Sequence, residues 1–288
     1  MSDQVWLATI FETYRKQLFT VAYRMLGSIS EAEDAVQETW LRLSRIDVST
    51  IQNIGGWLTT VVSRICLDML RSRKSRKEET LEAQLSDTLT DHQQVDPEQE
   101  ALIADSVGAA MLVVLAQLKP AERIAFVLHD VFHLPFQEIA PIIGKSEDAT
   151  RQIASRARRR VRGEKAARTT NADDQHEAVK AFLAAAHAGD FDRLIAALDP
   201  EVVLRDDRES EAAITRGAVA LAKKVAGRAQ KSAQLALVDG TVGIIAAPRG
   251  KLLYVLKFNV TSGKITEIDL ISHPERLAKT ELAVLAAD

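Results

Sequence analysis

The stretch LPFQEIAPIIGKSEDATRQIASRARRRVR, residues 134–162, decides how this chain is read: its pattern predicts two helices around a tight turn, with arginine crowding the second. The first helix is expected to open at Leu134-Pro135, since a proline in the opening turn has no intrahelical hydrogen bond to lose. Ala140 lets two helices approach closely, Gly144 suits the turn and Ser146 can cap the next helix. Ile139, Ile143 and Ile153 are expected to pack inward. Arg151, Gln152, Ser155, Arg156, Arg158, Arg159, Arg160 and Arg162 remain outward, where guanidinium and amide groups suit phosphates and base edges in a major groove. Pro141 removes a hydrogen bond late in the first helix and should shorten or bend it. A solvated basic helix in an ordinary bundle would share this pattern, because helix-turn-helix spacing is permissive.

The 288 residues suggest two or three domains. A formal net charge of -3 hides strong segregation. Arg71, Arg73, Lys74, Arg76 and Lys77 form one basic cluster; residues 78–105 carry no Lys or Arg and many carboxylates; arginine dominates again from Lys145 to Arg168. Two basic surfaces joined by an acidic connector suit a nucleic acid contacted at two places. Cys66 is the only cysteine, which rules out an internal disulfide, and its apolar neighbours make it a core thiol. There is no charged-then-apolar leader, and the apolar run from Val107 to Leu118 is too short to span a bilayer, so a cytoplasmic protein without membrane contact is expected.

From Val5 to Arg73 apolar residues recur at helical steps. Ser30 is placed as the cap of a helix reading EAEDAVQETWLRL, in which Ala35, Val36, Thr39, Trp40 and Leu43 face a core and Asp34, Gln37, Glu38 and Arg42 do not. Gly55-Gly56 leads into another apolar helix that ends in the basic cluster. Helicity resumes from Ala101 to Leu118 and again from Lys119 to His129. After a polar joint at Thr169 to Asp174 come two amphipathic helices, a strand VVLRDD, a helix from Gly217 to Arg228, and four alternating stretches, AQLALVD, VGIIAA, LLYVLKFNV and ITEIDLIS. That order implies an α+β domain.

The segments EAEDAVQETWLRL, GGWLTTVVSRICLDMLRSR, LKPAERIAFVLHDVFHLPFQEIAPIIG and ATRQIASRARRRV, in this order, resemble the extracytoplasmic-function (ECF) sigma factors, specifically the SigJ-like subgroup with a SnoaL-like C-terminal domain. The resemblance implies two all-α domains, the second with the helix-turn-helix, followed by a cone-shaped α+β domain. The boundaries are 1–77 for a region 2-like domain, 78–105 for the acidic linker, 106–168 for a region 4-like domain and 169–288 for the SnoaL-like domain. The implied partners are core RNA polymerase and promoter DNA at its -10 and -35 elements. Asp34, Gln37, Glu38, Trp40 and Leu41 fall in the implied polymerase-binding helix, where a solvated acidic face is the alternative. Asn53, Trp57, Arg64, Arg71 and Arg73 fall in the stretch implied to face promoter DNA, and Trp57 could equally anchor the helix start. Arg151, Gln152, Ser155, Arg156, Arg158, Arg159 and Arg160 would contact the -35 duplex, with Arg151 and Gln152 reading bases and Arg158 and Arg160 holding phosphates. An anti-sigma factor or a small-molecule ligand is left open. The chain departs from many relatives by reading Arg205-Asp206-Asp207-Arg208-Glu209 where they carry an Asp-Gly-Gly-Gly-Lys turn, and by lacking a Pro-Glu-Pro type linker.

His129 and His133 stand four apart, but no glutamate follows His129 and no third ligand is evident, so neither a metal nor a cofactor is expected. No phosphate-cradling loop or nucleophile elbow is present. His187, Asp206, Asp207, Asp269 and His273 are the polar candidates in the C-terminal domain, read as ordinary surface residues, with Asp206, Asp207, Glu209 and Glu211 as an acidic surface; the chain is not expected to be an enzyme.

Overall fold

The computed structural model describes residues 3–79, 108–163, 172–207, 213–227, 229–230 and 232–285. In chain order these form α1 (Asp3–Leu26), α2 (Ile29–Leu43), α3 (Ile54–Glu79), α4 (Ala109–Gln117), α5 (Pro120–Phe126), α6 (Phe136–Ile143), α7 (Glu147–Arg162), α8 (Ala172–Ala188), α9 (Phe191–Ala197), β1 (Leu198–Asp206), β2 (Ala213–Arg216), α10 (Ala218–Val225), β3 (Ala233–Val238), β4 (Thr241–Ala246), β5 (Tyr254–Thr261), β6 (Lys264–Ile271), α11 (Pro274–Lys279) and β7 (Leu282–Ala283). They pack as two compact units, one of Met1–Gly108 with Leu118–Arg158, the other of Ala109–Gln117 with Arg159–Asp288. Of the acidic connector, only residues 78 and 79 lie within the described residues.

In the first unit α1 buries Phe11, Leu18, Ala22 and Met25 along one face. It ends at Gly27, and Ser28 caps α2 by accepting from the Glu31 N–H, two residues before the expected Ser30. The inward face of α2 is Ala32, Ala35, Val36, Thr39 and Leu43. Trp40 is half-buried, its ring 5.1 Å from that of Phe11. At Gly55 the chain passes close to Tyr14: a Cβ there would lie 2.8 Å from the Tyr14 ring. From that contact α3 runs inward with Leu58, Val62, Ile65, Leu67 and Leu70 buried. Cys66 is also buried, which pushes its thiol up to about 12 and makes it the expected core residue.

The second unit is a seven-stranded sheet in the order β2-β1-β6-β5-β4-β3-β7, antiparallel except where β1 runs alongside β6. α8, α9 and α10 cover one face over a core that includes Phe182, Leu194, Val202, Leu221, Ile244, Phe258 and Ile268. α4 packs against β3, β7 and the turn Pro248–Gly250. Its apolar residues Leu112, Val113, Val114 and Leu115 are buried. Polar clasps hold its two ends: Ala110 N–H donates to the Gln234 side chain at 3.3 Å, Gln117 Nε2 donates to Thr280 O at 3.0 Å, and Leu282 N–H donates to Gln117 Oε1 at 3.2 Å. The segment 106–168, read from sequence as one domain, is therefore shared by the two packing units. The four alternating stretches are β3 to β6 as expected; β2, α11 and β7 are short elements that no pattern announced.

Candidate nucleic-acid interface

The helix-turn-helix is α6, the turn at Gly144 and α7. Pro135 is the N-cap of α6, so the helix opens one residue later than expected, at Phe136. Pro141 does not prevent the last turn, but the helix closes two residues beyond it, at Ile143. Gly144 adopts φ +73°, the left-handed conformation that glycine takes at least cost, and donates to Ala140 O at 3.0 Å. Ser146 Oγ accepts from the Ala149 N–H at 3.3 Å and caps α7.

Burial sorts the side chains of α7. Ile153, Ala154, Ala157 and Val161 are turned inward. Gln152, Ser155, Arg156 and Arg159 are exposed at i, i+3, i+4 and i+7, which is one stripe on the opposite side of the helix. Arg151 and Arg158 flank it. Arg151 is exposed, pairs with Glu147 and, at 3.5 Å, with Asp148, and lies 5.7 Å from the centre of the Phe136 ring. Arg158 is half-buried, with its Nε 2.9 Å from Asp130 Oδ1. The expectation that Arg158 holds a phosphate meets a guanidinium already bound within the protein, whereas Arg156 makes no ion pair among the described residues. Arg160 is exposed beyond the stripe.

The stretch expected to face promoter DNA also divides. Asn53 Oδ1 accepts from the Gly56 N–H at 3.0 Å, so Asn53 caps α3, and Trp57 is half-buried in its first turn. Arg71 is exposed, 3.9 Å from Asp68. Arg73 instead turns back into the unit, with its Nε donating to Glu31 at 2.9 Å and a terminal nitrogen donating to Leu26 O at 3.3 Å. Burial, and then the nearby charge of Arg76, lowers its pKa. Arg64 is exposed and donates to Pro141 O at 3.4 Å, so α3 meets α6 within this unit. Sequence reasoning missed Arg123, which is only 7% exposed and donates to Met25 O at 2.8 Å. Burial and then the charge of Arg73 push its guanidinium down to about 10. Its place among Ile124, Ala125 and Phe126 on a short apolar helix was the available signal.

On α2, Asp34, Gln37 and Leu41 are exposed, Leu41 at 39%, and Glu38 pairs with Arg42 at 2.9 Å. Trp40 offers one partly open edge beside them. His129 bonds Leu134 O through its ring and stacks on Phe136, a local structural role.

The polar candidates of the C-terminal domain do not converge. His187 bonds Gln230 O at 3.0 Å. Asp269 pairs with Arg205 at 3.4 Å, and Asp206, one residue along the strand, points to the other face, where it is 2% exposed. Asp207 accepts from Ser272 N–H at 2.7 Å and from Arg276 at 3.0 Å. Burial works against its charge, but these bonds and that of His273 hold its carboxyl below the ordinary value. His273 is the N-cap of α11. The expected acidic surface is thus corrected: Asp206 and Asp207 are turned inward and bound, and Glu209 and Glu211 lie outside the described residues.

The sigma-70 region 2 family matches residues 10–76 and the sigma-70 region 4 family matches residues 109–161. The ECF RNA polymerase sigma factor SigJ of Mycobacterium tuberculosis (strain ATCC 25618 / H37Rv) is 36% identical, over 94% of this chain and 93% of that one. The probable ECF sigma factor SigI of Mycobacterium tuberculosis (strain CDC 1551 / Oshkosh) is 34% identical over 96% and 97%. The crystal structure of M. tuberculosis SigJ aligns with a TM-score of 0.46 at 32% identity, covering 93% of this chain and 97% of that one.

Proposed function

The chain belongs to the extracytoplasmic-function family of RNA polymerase sigma factors, and from that premise we propose how its helices divide the work of binding core polymerase and directing it to promoters. α2 offers Asp34, Gln37, Glu38, Leu41 and the open edge of Trp40 to the polymerase, an apolar centre within a polar rim. α3 faces the -10 element, with Arg71 and Trp57 as the contacts its geometry favours. α7 reads the -35 duplex through Gln152, Ser155 and Arg156, with Arg159 and Arg160 further along the helix toward phosphates. Arg151 joins them by exchanging its solvent-facing carboxylate partners for DNA, since exposed pairs are weak.

The observation that carries this reading is the outward stripe of α7 in a capped helix-turn-helix. The alternative of a ligand-responsive operator-binding regulator leaves α1 to α3 without a task. A sigma factor works where the polymerase is, in the cytoplasm, and catalyses no reaction of its own; no helix among the described residues is long and apolar enough to cross a membrane.

One further step follows from this reading. Elements at -10 and -35 lie about 25 base pairs apart, about 85 Å at 3.4 Å per base pair. Arg64 of α3 and Pro141 of α6 are at hydrogen-bond distance, so α3 and α6 must part when both elements are engaged.

Reconstitution tests the proposal. Added to core polymerase, the full chain should yield transcripts from defined members of a genomic promoter library. Leu41→Arg should reduce polymerase association at least about tenfold while the circular dichroism stays that of the parent. No promoter-dependent transcript from the folded chain would refute the function, and global unfolding of Leu41→Arg would return Leu41 to the core.

A further inference from the structure

The stripe that α7 turns outward is headed by an acidic residue. Asp148 stands four residues before Gln152 and seven before Ser155, on the same side of the helix and opposite the buried Thr150, Ile153, Ala154 and Ala157. Its side chain is 88% exposed. It does not cap α7, because Ser146 Oγ accepts from the Ala149 N–H. Among the described residues its one ion pair is with Arg151, at 3.5 Å, and an exposed pair of that kind holds a carboxylate only weakly. Glu147, one residue earlier, lies off the stripe, is more shielded at 35% exposure and pairs with Arg151 from the side.

On the reading of α7 as the helix that enters the -35 duplex, on which this proposal rests, Asp148 is carried into the major groove together with Gln152 and Ser155, since the opening residues of a recognition helix reach the base edges. There it meets a polyanion with one phosphate charge per about 1.7 Å of duplex. Arg151 exchanges its exposed partners for DNA, so the carboxylate is left with acceptors alone, and desolvating it without a donor is costly. The groove offers two kinds of donor, the cytosine N4 and adenine N6 amino groups. Adenine sets an acceptor, N7, beside its amino group, and that lone pair repels a carboxylate. Cytosine sets a C–H there, and the guanine acceptors O6 and N7 across the pair suit the guanidinium of Arg151, already beside Asp148.

We propose that Asp148 is a specificity-determining residue of the -35 contact: its carboxylate accepts a hydrogen bond from the N4 amino group of a cytosine, while Arg151 bonds the edge of the paired guanine. Thymine places an acceptor, O4, where cytosine has its amino group. The same carboxylate that selects cytosine therefore rejects thymine.

Transcription from a promoter library by core polymerase carrying the parent chain, Asp148→Ala or Gln152→Ala tests the contact. At one -35 position the parent should favour cytosine over thymine at least about tenfold, and Asp148→Ala should lose that preference while keeping the profile at -10. A second measurement changes the DNA and leaves the parent protein intact. Replacing that cytosine by 2-pyrimidinone, which lacks the amino group, should cost the parent at least about tenfold more in transcript yield than it costs Asp148→Ala. No cytosine preference in the parent, a preference that persists in Asp148→Ala, or equal losses on the analogue would overturn the contact. If Gln152→Ala alters the -35 profile and Asp148→Ala does not, α7 remains the reading helix and only the role of Asp148 falls. A profile that neither variant alters would overturn the reading of α7 as well.

Discussion

Helices α3 and α7 are both rich in arginine, and each divides it between the fold and the surface, at different points along its length. On α3, Arg73 turns back to Glu31 and the Leu26 carbonyl, and Arg64 reaches the Pro141 carbonyl. On α7, Gln152, Ser155 and Arg156 stand outward in a stripe while Arg158 at its flank is held by Asp130. Counting basic residues therefore overstates a nucleic-acid surface. A guanidinium that already satisfies a carboxylate and a carbonyl is part of the fold, and removing it strands both partners.

The largest effect expected from this contrast is on stability. Arg73→Ala leaves Glu31 and the Leu26 carbonyl without a donor and should lower the unfolding free energy by roughly 1–3 kcal/mol, the cost of stranded polar groups. Denaturant titration reads it directly, and an unchanged midpoint would make Arg73 a residue free to meet DNA. A smaller loss, about 0.5–1.5 kcal/mol, is expected for Arg158→Ala, whose pair with Asp130 is only partly shielded. Affinity for DNA should change less in Arg158→Ala than in Arg156→Ala.

The carboxylates of the C-terminal domain sharpen the same point. Asp207 is held below its ordinary value of 3.8 by bonds from Ser272 and His273 and by Arg276. A depressed folded pKa means that its contribution is present above that ordinary value and fades as the pH falls through the lower folded one. Asp207→Asn should therefore flatten the loss of thermal stability below about pH 4, and parallel curves for variant and parent would count against the anchoring role. The smallest effect concerns Cys66. With its thiol pushed up to about 12 by burial, it should resist alkylation at neutral pH until the protein unfolds. Rapid labelling of the folded chain would show it accessible.

Much of this was legible in the residues. Caps, glycines and apolar spacing marked α1 to α3, α6 and α7, and two-residue alternation marked β3 to β6. What escaped depends on partners distant in sequence. The chain offers no local sign that Arg73 will meet Glu31, Arg158 will meet Asp130, or Gln117 will clasp residues 280–282. α4 is apolar nearly all round, so its pattern announces a helix without naming its neighbour, and it packs on the C-terminal sheet. β2 and β7 are too short for alternation to register. Asp206 was readable after all, because two-residue spacing puts it on the face of Val202 and Leu204, both buried.

The central claim is that the outward stripe of α7, and not Arg158 at its flank, reads the -35 element. Promoter-library transcription with core polymerase, compared among the parent chain, Arg156→Ala and Arg158→Ala, tests it most directly. Arg156→Ala should alter base preference at -35 by roughly 1–3 kcal/mol at the positions it contacts, leaving the -10 profile intact, while Arg158→Ala keeps the parent profile. A parent-like profile in Arg156→Ala, or a changed one in Arg158→Ala, would contradict the account.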